Sequence, residues 1–351
     1  MHIALVTTWP PAHCGIGTYT RDLALTLMAM GHKVTILAET LDTSHEGHSK
    51  DAPFVRRVWN RKSPYAAPFG LGQVTAAIQQ LQPDAVHVQH EFGLFPRSEE
   101  LLRLAAGQKT FITFHTIEPA PKFLSCFNEP RANICAISHT MAGLAALATR
   151  GWATRHIPHG VTPQANAVVT TTNTFLCPGF VSPSKGHTEI LEGFARYLDR
   201  GGTHSLAIAG SCRDAQYADK LRERAFKLGL DTPRYRFVDR FFTDEALTRL
   251  IKSASAVVLG HAAKQSPLSA SGQVAQAISA HVPIVAKDVA IYREAPGLFW
   301  RTPNELALAL DAVVRPAVVS TLRGQSEKAL DERAWGTVAA NHIRLYEGVW
   351  T

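Results

Sequence analysis

The sequence has no dense run of lysine and arginine, no CxxC pair, and no apolar stretch near the ~18 residues that a bilayer span requires. The first absence leaves no visible nucleic-acid patch. The second argues against a zinc ribbon and a disulfide framework, since the five cysteines (Cys14, Cys126, Cys135, Cys177, Cys212) are odd in number and widely spaced. Reduced, mostly buried thiols are the expectation. The opening run Met1–Val6 is short and lacks the basic leader of a secretory signal, so a cytoplasmic protein is expected.

What is present is a globular composition. Hydrophobic residues make up 46% and charged residues 19% of 351, with a mean hydropathy of −0.04. That excludes a mostly disordered chain, and the length suggests two domains. The charge is +7, from 36 Lys and Arg against 29 Asp and Glu. A basic balance favours nucleic acid, an anionic lipid surface or a phosphorylated small molecule, or is simply a solvated surface with a modest excess.

Short apolar runs alternate with helix-like stretches. Ile3–Thr8 reads as a buried strand, followed by the glycine-containing loop 13–17, a helix from Thr18 to Met30 with Gly31 as C-cap, and a strand over Val34–Ala38. Further strands are predicted at 85–89, 111–114 and 133–137, with Ser138 capping a helix to about Thr149. The polar stretches 162–166 and 170–173 form the best linker candidate. Beyond them strands are predicted at 174–181, 205–209, 234–238, 256–259 and 283–286. Helices are predicted at 188–198, 215–228, 244–253 and 272–280, with one amphipathic C-terminal helix from Asp331 to Tyr346. This is the pattern of α/β domains with doubly wound parallel sheets, whose ligands bind at the carboxyl ends of the strands.

Several motifs occur in order along almost the whole chain. They are Thr8-Trp9-Pro10-Pro11 with Cys14-Gly15-Ile16-Gly17-Thr18-Tyr19, Gln89-His90-Glu91-Phe92-Gly93-Leu94-Phe95, Phe114-His115-Thr116 and Ile157-Pro158-His159-Gly160-Val161. In the second half stand Gly179-Phe180-Val181-Ser182-Pro183-Ser184-Lys185-Gly186 and the segment from Ser269-Ala270-Ser271-Gly272 to Pro283-Ile284-Val285-Ala286. Together they resemble GT-B glycosyltransferases of the family 4 type. The resemblance implies two Rossmann-like domains facing a cleft: an acceptor domain over 1–165, a nucleotide-sugar donor domain over 166–332, and a C-terminal helix over 333–351 crossing back to the first domain.

The resemblance also assigns roles. Gly15 and Gly17 let the backbone approach the donor phosphates, although with no third glycine they do not form a dinucleotide fingerprint. A tight turn is the plain alternative. Lys185, followed by Gly186, neutralises a diphosphate leaving group, or is a surface lysine in a turn. His115 contacts the transferred sugar, or is a satisfied structural histidine. His90 and Glu91 bind the acceptor, and Glu91 deprotonates its hydroxyl or forms a cap or salt bridge. Ser269, Ser271 and Gly272 open a helix that suits a phosphate or a sugar hydroxyl, or merely cap it. His159 stands where the family often has Asn.

Three positions depart from the family. Phe180 stands where an Arg is common. Leu268 and Gln276 stand where many relatives carry a glutamate pair for the donor sugar and the ribose. Gln276 can still hold a ribose through its amide, whereas Leu268 cannot hydrogen-bond a hydroxyl; Gln265 or Gln273 can compensate if the loop differs. The implied reaction is a retaining sugar transfer from a nucleotide-diphosphate sugar. It uses no metal and no cofactor beyond that co-substrate. The acceptor is a glycan, a lipid-linked glycan or another hydroxyl compound; a nucleic-acid acceptor fits the charge but has no motif behind it. The rival is a non-catalytic relative that binds a nucleotide sugar or a protein partner. Weak contact with the inner membrane face through Arg150-Gly151-Trp152 and Arg155 competes with a buried Trp152.

Overall fold

The computed structural model describes residues 1–12, 14–40, 51–60, 71–91, 93–95, 109–117, 133–163, 172–230, 233–262 and 268–348. The chain divides into two compact units. The first comprises Met1–Gly160, Pro267–Ala270 and Trp335–Thr351; the second comprises Val161–Ser266 and Ser271–Ala334.

The first unit is built on seven strands: β1 (His2–Thr7), β2 (Lys33–Glu39), β3 (Val55–Trp59), β4 (Ala85–His90), β5 (Thr110–Phe114), β6 (Ile134–Ser138) and β7 (Ala153–His156). They are all parallel, in the order β3-β2-β1-β4-β5-β6-β7. Helices α1 (Gly15–Ala29), α2 (Leu71–Leu81) and α3 (Met141–Ala148) belong to the same unit. Ile3, Ala4, Leu5 and Val6 of β1 are all buried, because a parallel sheet is covered on both faces. Ala4, Val6, Val86 and Ile112 join Val74 and Ile78 of α2 in one core. Ile3 and Leu5 join Leu23 and Leu27 of α1 in the other.

The second unit repeats the plan with β8 (Thr174–Pro178), β9 (Ser205–Ala209), β10 (Tyr235–Val238), β11 (Ala256–Leu259), β12 (Ile284–Lys287) and β13 (Gly297–Trp300). These strands are parallel too, in the order β10-β9-β8-β11-β12-β13. Its helices are α4 (His187–Asp199), α5 (Ala215–Lys227), α6 (Asp244–Ser253), α7 (Gly272–Ser279), α8 (Pro303–Val313) and α9 (Pro316–Arg333). The side chains of Asp214, Thr243, Ser271 and Thr302 cap α5, α6, α7 and α8. Each accepts a backbone N–H that the helix itself leaves unpaired. In both sheets the strand order reverses beside the first strand, between β1 and β4 and between β8 and β11. That is where doubly wound sheets bind ligands.

Two expectations are corrected. Ser138 ends β6 and caps no helix; Thr140 caps α3 by accepting the Gly143 N–H, while Ser138 Oγ accepts the Thr140 N–H at 3.2 Å. The helix expected from Asp331 to Tyr346 is two helices. Ala334 leaves the helical conformation (φ −55°, ψ 139°) and pairs with Val161 in a short bridge, and α10 then runs Trp335–Glu347. Trp152 is buried as expected, in the first core with Phe114. Most of the expected linker, 164–171, lies outside the described residues. No described helix is long and apolar enough to cross a membrane.

Helix α10 completes the first unit. Trp335, Val338 and Tyr346 pack with Leu23, Leu27 and Phe111. A Cβ on Gly160 would lie 2.6 Å from the Trp335 ring, so that close approach requires glycine.

Candidate functional site

In the first unit, parallel topology brings the ends of neighbouring strands to one edge. His90 closes β4, His115 and His139 follow β5 and β6 directly, and His159 lies three residues beyond β7. Tyr19, in the first turns of α1, stands among three of these rings. Its ring centroid is 4.9 Å from His115, 5.1 Å from His139 and 5.0 Å from His159, with Trp335 also at 5.0 Å. His115 and His139 are 5.1 Å apart.

Hydrogen bonds fix these rings. His139 Nδ1–H donates to Ile157 O at 2.8 Å, and His159 Nδ1–H donates to Gly160 O at 2.8 Å. His115 Nε2 meets Gln89 Oε1 at 2.8 Å. Beneath it, His87 bonds Tyr346 OH at 2.6 Å and Thr113 Oγ1 at 2.7 Å. Burial disfavours the imidazolium, and neighbouring histidines add to the effect. It holds His87, His115 and His139 well below the usual histidine range, and His342 is lowered to about 4. These rings are neutral at pH 7, so each offers one donor and one acceptor. Burial likewise raises the Tyr19 phenol, which stays protonated.

His90, expected at the acceptor, sits within the packed core of the first unit. It is fully buried, 5.0 Å from the Phe114 ring and stacked on Phe95, and burial lowers it to about 3. Glu91 begins the following turn, its carbonyl accepting from the N–H of Leu94 and Phe95. Gly15 and Gly17 stand in the first turn of α1. Its N-cap Cys14 makes no side-chain cap, and that turn holds no acidic residue. Nothing lies within 4 Å of a Cβ at Gly15, whereas one at Gly17 would press on Thr8 at 3.3 Å. Gly15 therefore leaves space before the helix, and Gly17 lets the helix pack against β1.

In the second unit, Lys185 ends a short 3-10 turn (Pro183–Lys185), and Gly186 (φ 64°, ψ 24°) turns the chain into α4. A Cβ at Gly186 would lie 3.0 Å from His261 N. The left-handed backbone and this close approach both call for glycine. Lys185 makes no ion pair among the described residues, and burial lowers its pKa. Its ammonium is poorly solvated, so an anion gains from pairing with it. Like α1, α4 has no side-chain cap.

Ser271 caps α7, and nothing lies within 4 Å of a Cβ at Gly272. Gln276 is half-buried in the second turn of that helix. Ser269 does not open α7. It lies in the Leu268 segment, which groups with the first unit and is held there by Leu268 N–H donating to Ile117 O at 2.9 Å. Gln273 donates its amide to Pro178 O, and its Oε1 is buried with no hydrogen-bond partner among the described residues. Gln265 lies outside the described residues.

Phe180 is exposed, and the Arg213 guanidinium lies 5.4 Å from its ring centroid. Val181 bridges Cys212, which sets the loops after β8 and β9 side by side. A cation therefore stands beside the position where the resemblance expects one, on the neighbouring loop. The sequence pattern gave no role to Arg213 or His139, nor to Tyr19 and Gln89 within their motifs, because each acts through residues distant in the chain. Among the described residues no three His, Cys, Asp or Glu side chains are grouped to hold a metal ion.

Residues 14–176 match the sequence model of Glycosyltransferase Family 4. That segment is just under half of the chain, and the two parallel sheets around it and beyond it are those of a GT-B fold. Its fold is similar to that of sucrose-phosphate synthase from Thermosynechococcus elongatus (TM-score 0.76, 17% identity, covering 100% of this chain and 99% of that one). It is also similar to Anabaena HepE in complex with UDP and glucose (0.67, 16%, 99% of each). A third likeness is to a UDP-forming α,α-trehalose-phosphate synthase from Burkholderia xenovorans in complex with glucose-6-phosphate (0.71, 13%, 99% and 100%). No curated protein matches by sequence.

Proposed function

We propose that this protein transfers a sugar from a nucleotide-diphosphate sugar to an acceptor hydroxyl, with retention at the anomeric carbon. The bond from that carbon to the diphosphate oxygen breaks, a bond to the acceptor oxygen forms, and the acceptor proton leaves. Lys185 and Arg213 neutralise the charge that builds on the leaving diphosphate. The open first turn of α1 at Gly15 adds backbone N–H groups. Gln276 holds the ribose, Ser271 and Gly272 lie along the donor, His115 touches the transferred sugar, and Glu91 takes the acceptor proton. A sugar phosphate is an acceptor class of the right chemistry, given the solved relatives.

The observation that carries this reading is His115. It is neutral by burial, held by Gln89 and edge-on to Tyr19 at the carboxyl edge of a sheet within the matched family segment. The test is turnover with UDP-, GDP-, ADP- and dTDP-sugars, alongside calorimetry with the free nucleotides. Transfer that collapses in His115→Ala, and nucleotide binding that weakens in Lys185→Ala, are expected. No turnover, with nucleotide binding indifferent to Lys185→Ala, would overturn it. Binding without turnover favours a non-catalytic relative. The observation behind that reading is Leu268, whose backbone is tied to Ile117 and whose side chain packs against an apolar core.

A further inference from the structure

Gln89 is fully buried in β4, beside Thr113 of β5 in the sheet register. Its amide is divided between two histidines. The oxygen lies 2.8 Å from His115 Nε2, and the nitrogen lies 3.3 Å from His87 Nε2. We propose that Gln89 is a positioning residue that holds His115 as the Nε2–H tautomer, so that Nδ1 meets the substrate as a hydrogen-bond acceptor. This rests on the reading of His115 as the group that touches the transferred sugar.

The chemistry leaves one arrangement. A carbonyl oxygen only accepts, so the proton between Gln89 and His115 sits on Nε2 of the neutral ring. Reversing the amide would turn its oxygen toward His87. Both His87 nitrogens are already engaged, by Tyr346 and by Thr113. The Gln89 nitrogen lies close to both of these ring nitrogens, at 3.5 and 3.3 Å, and the electron-rich π system of the neutral ring attracts an N–H and repels a carbonyl lone pair. Tyr346 and Thr113 thus fix His87, His87 fixes Gln89, and Gln89 fixes His115. No described group pairs with His115 Nδ1, so its lone pair is free to accept a sugar hydroxyl.

The test uses the full chain labelled with 15N-histidine, with His115 assigned by comparison with His115→Asn. Long-range 1H–15N spectra of the native protein should show His115 as Nε2–H. In Gln89→Met the two tautomers should mix, with kcat falling on the order of 10–100-fold while KM for the donor changes little. Gln89→Glu keeps an accepting oxygen and adds a charge. It should keep the Nε2–H tautomer and raise the His115 pKa, so that activity is lost at a higher pH than in the native protein as pH falls and Nδ1 is protonated. A native Nδ1–H tautomer, or a Gln89→Met protein with unchanged tautomer and kcat, would overturn the proposal. If Gln89→Met does not fold, the native spectrum and Gln89→Glu decide. If no nucleotide sugar is turned over, the proposed function fails while the spectra still report the tautomer.

Discussion

The two units share one topology and finish their carboxyl edges in different ways. The first lines its edge with neutral rings, Tyr19 with His115, His139 and His159. The second uses ions. Lys287 pairs with Glu189, and Asp288 meets Arg293 at 3.0 Å and Arg301 at 2.8 Å. Neutral imidazoles suit hydroxyls, which need both donors and acceptors, whereas ammonium and guanidinium groups suit phosphates. The same backbone plan thus carries two chemistries, and the side chains at the strand ends decide which.

The widest separation of the two units should come from acid. His342 is lowered to about 4 and His90 to about 3, with His87 and His139 in the same direction, all chiefly by burial. Unfolded histidine takes a proton near 6.5, which these folded sites refuse. Their stabilisation is fully present above that pH and is lost as pH falls through the window toward about 4. The loss is about 1.4 kcal/mol per pH unit for each such histidine. The second unit has His187, lowered to about 4, with His204 and His261 also lowered. Hydrogen exchange followed by mass spectrometry should show the first unit opening first on acidification; simultaneous opening would remove the contrast.

Trp335→Ala should come next. It removes a ring packed on Gly160 and Tyr19 and costs about 3–5 kcal/mol. The same exchange measurement should place the loss in the first unit alone, with Ser205–Ala209 and Ala256–Leu259 as protected as before. Lys185→Met should cost about 1.5–3 kcal/mol of nucleotide binding by calorimetry. It should leave the second unit's stability unchanged or raised, since the ammonium is held at the expense of its solvation. The smallest effect is Asp214→Ala, about 1 kcal/mol from the lost cap of α5, visible as a lower denaturation midpoint of the second unit.

Much of the architecture was legible. The runs at 205–209, 256–259 and 244–253 coincide with β9, β11 and α6, because each is a continuous apolar run or an amphipathic period bounded by polar residues. The short strands β3, β7 and β13 had no such signal. β3 carries Arg56 and Arg57, β7 carries Arg155 and His156, and each lies at or toward a sheet edge where solvent tolerates charge. The break at Ala334 was hidden because helix-forming residues flank it on both sides. Tertiary pairing with Val161, not local propensity, makes it. At the site, the resemblance pointed to His115 and Lys185. The partners that give them their character, Gln89, Tyr19 and His139 around one and Arg213 near the other's loop, are joined only by the fold.

Helix α10 also sets an order of events. Its residues Trp335, Val338 and Tyr346 are part of the core that holds Ile3 and Leu5. During synthesis from the amino end, the first unit cannot close its core until α10 has emerged. By then every residue of the second unit has already been made. The first unit is therefore the last to be finished, and a chain that stops at Ala334 would carry every residue of the second unit and an open first one.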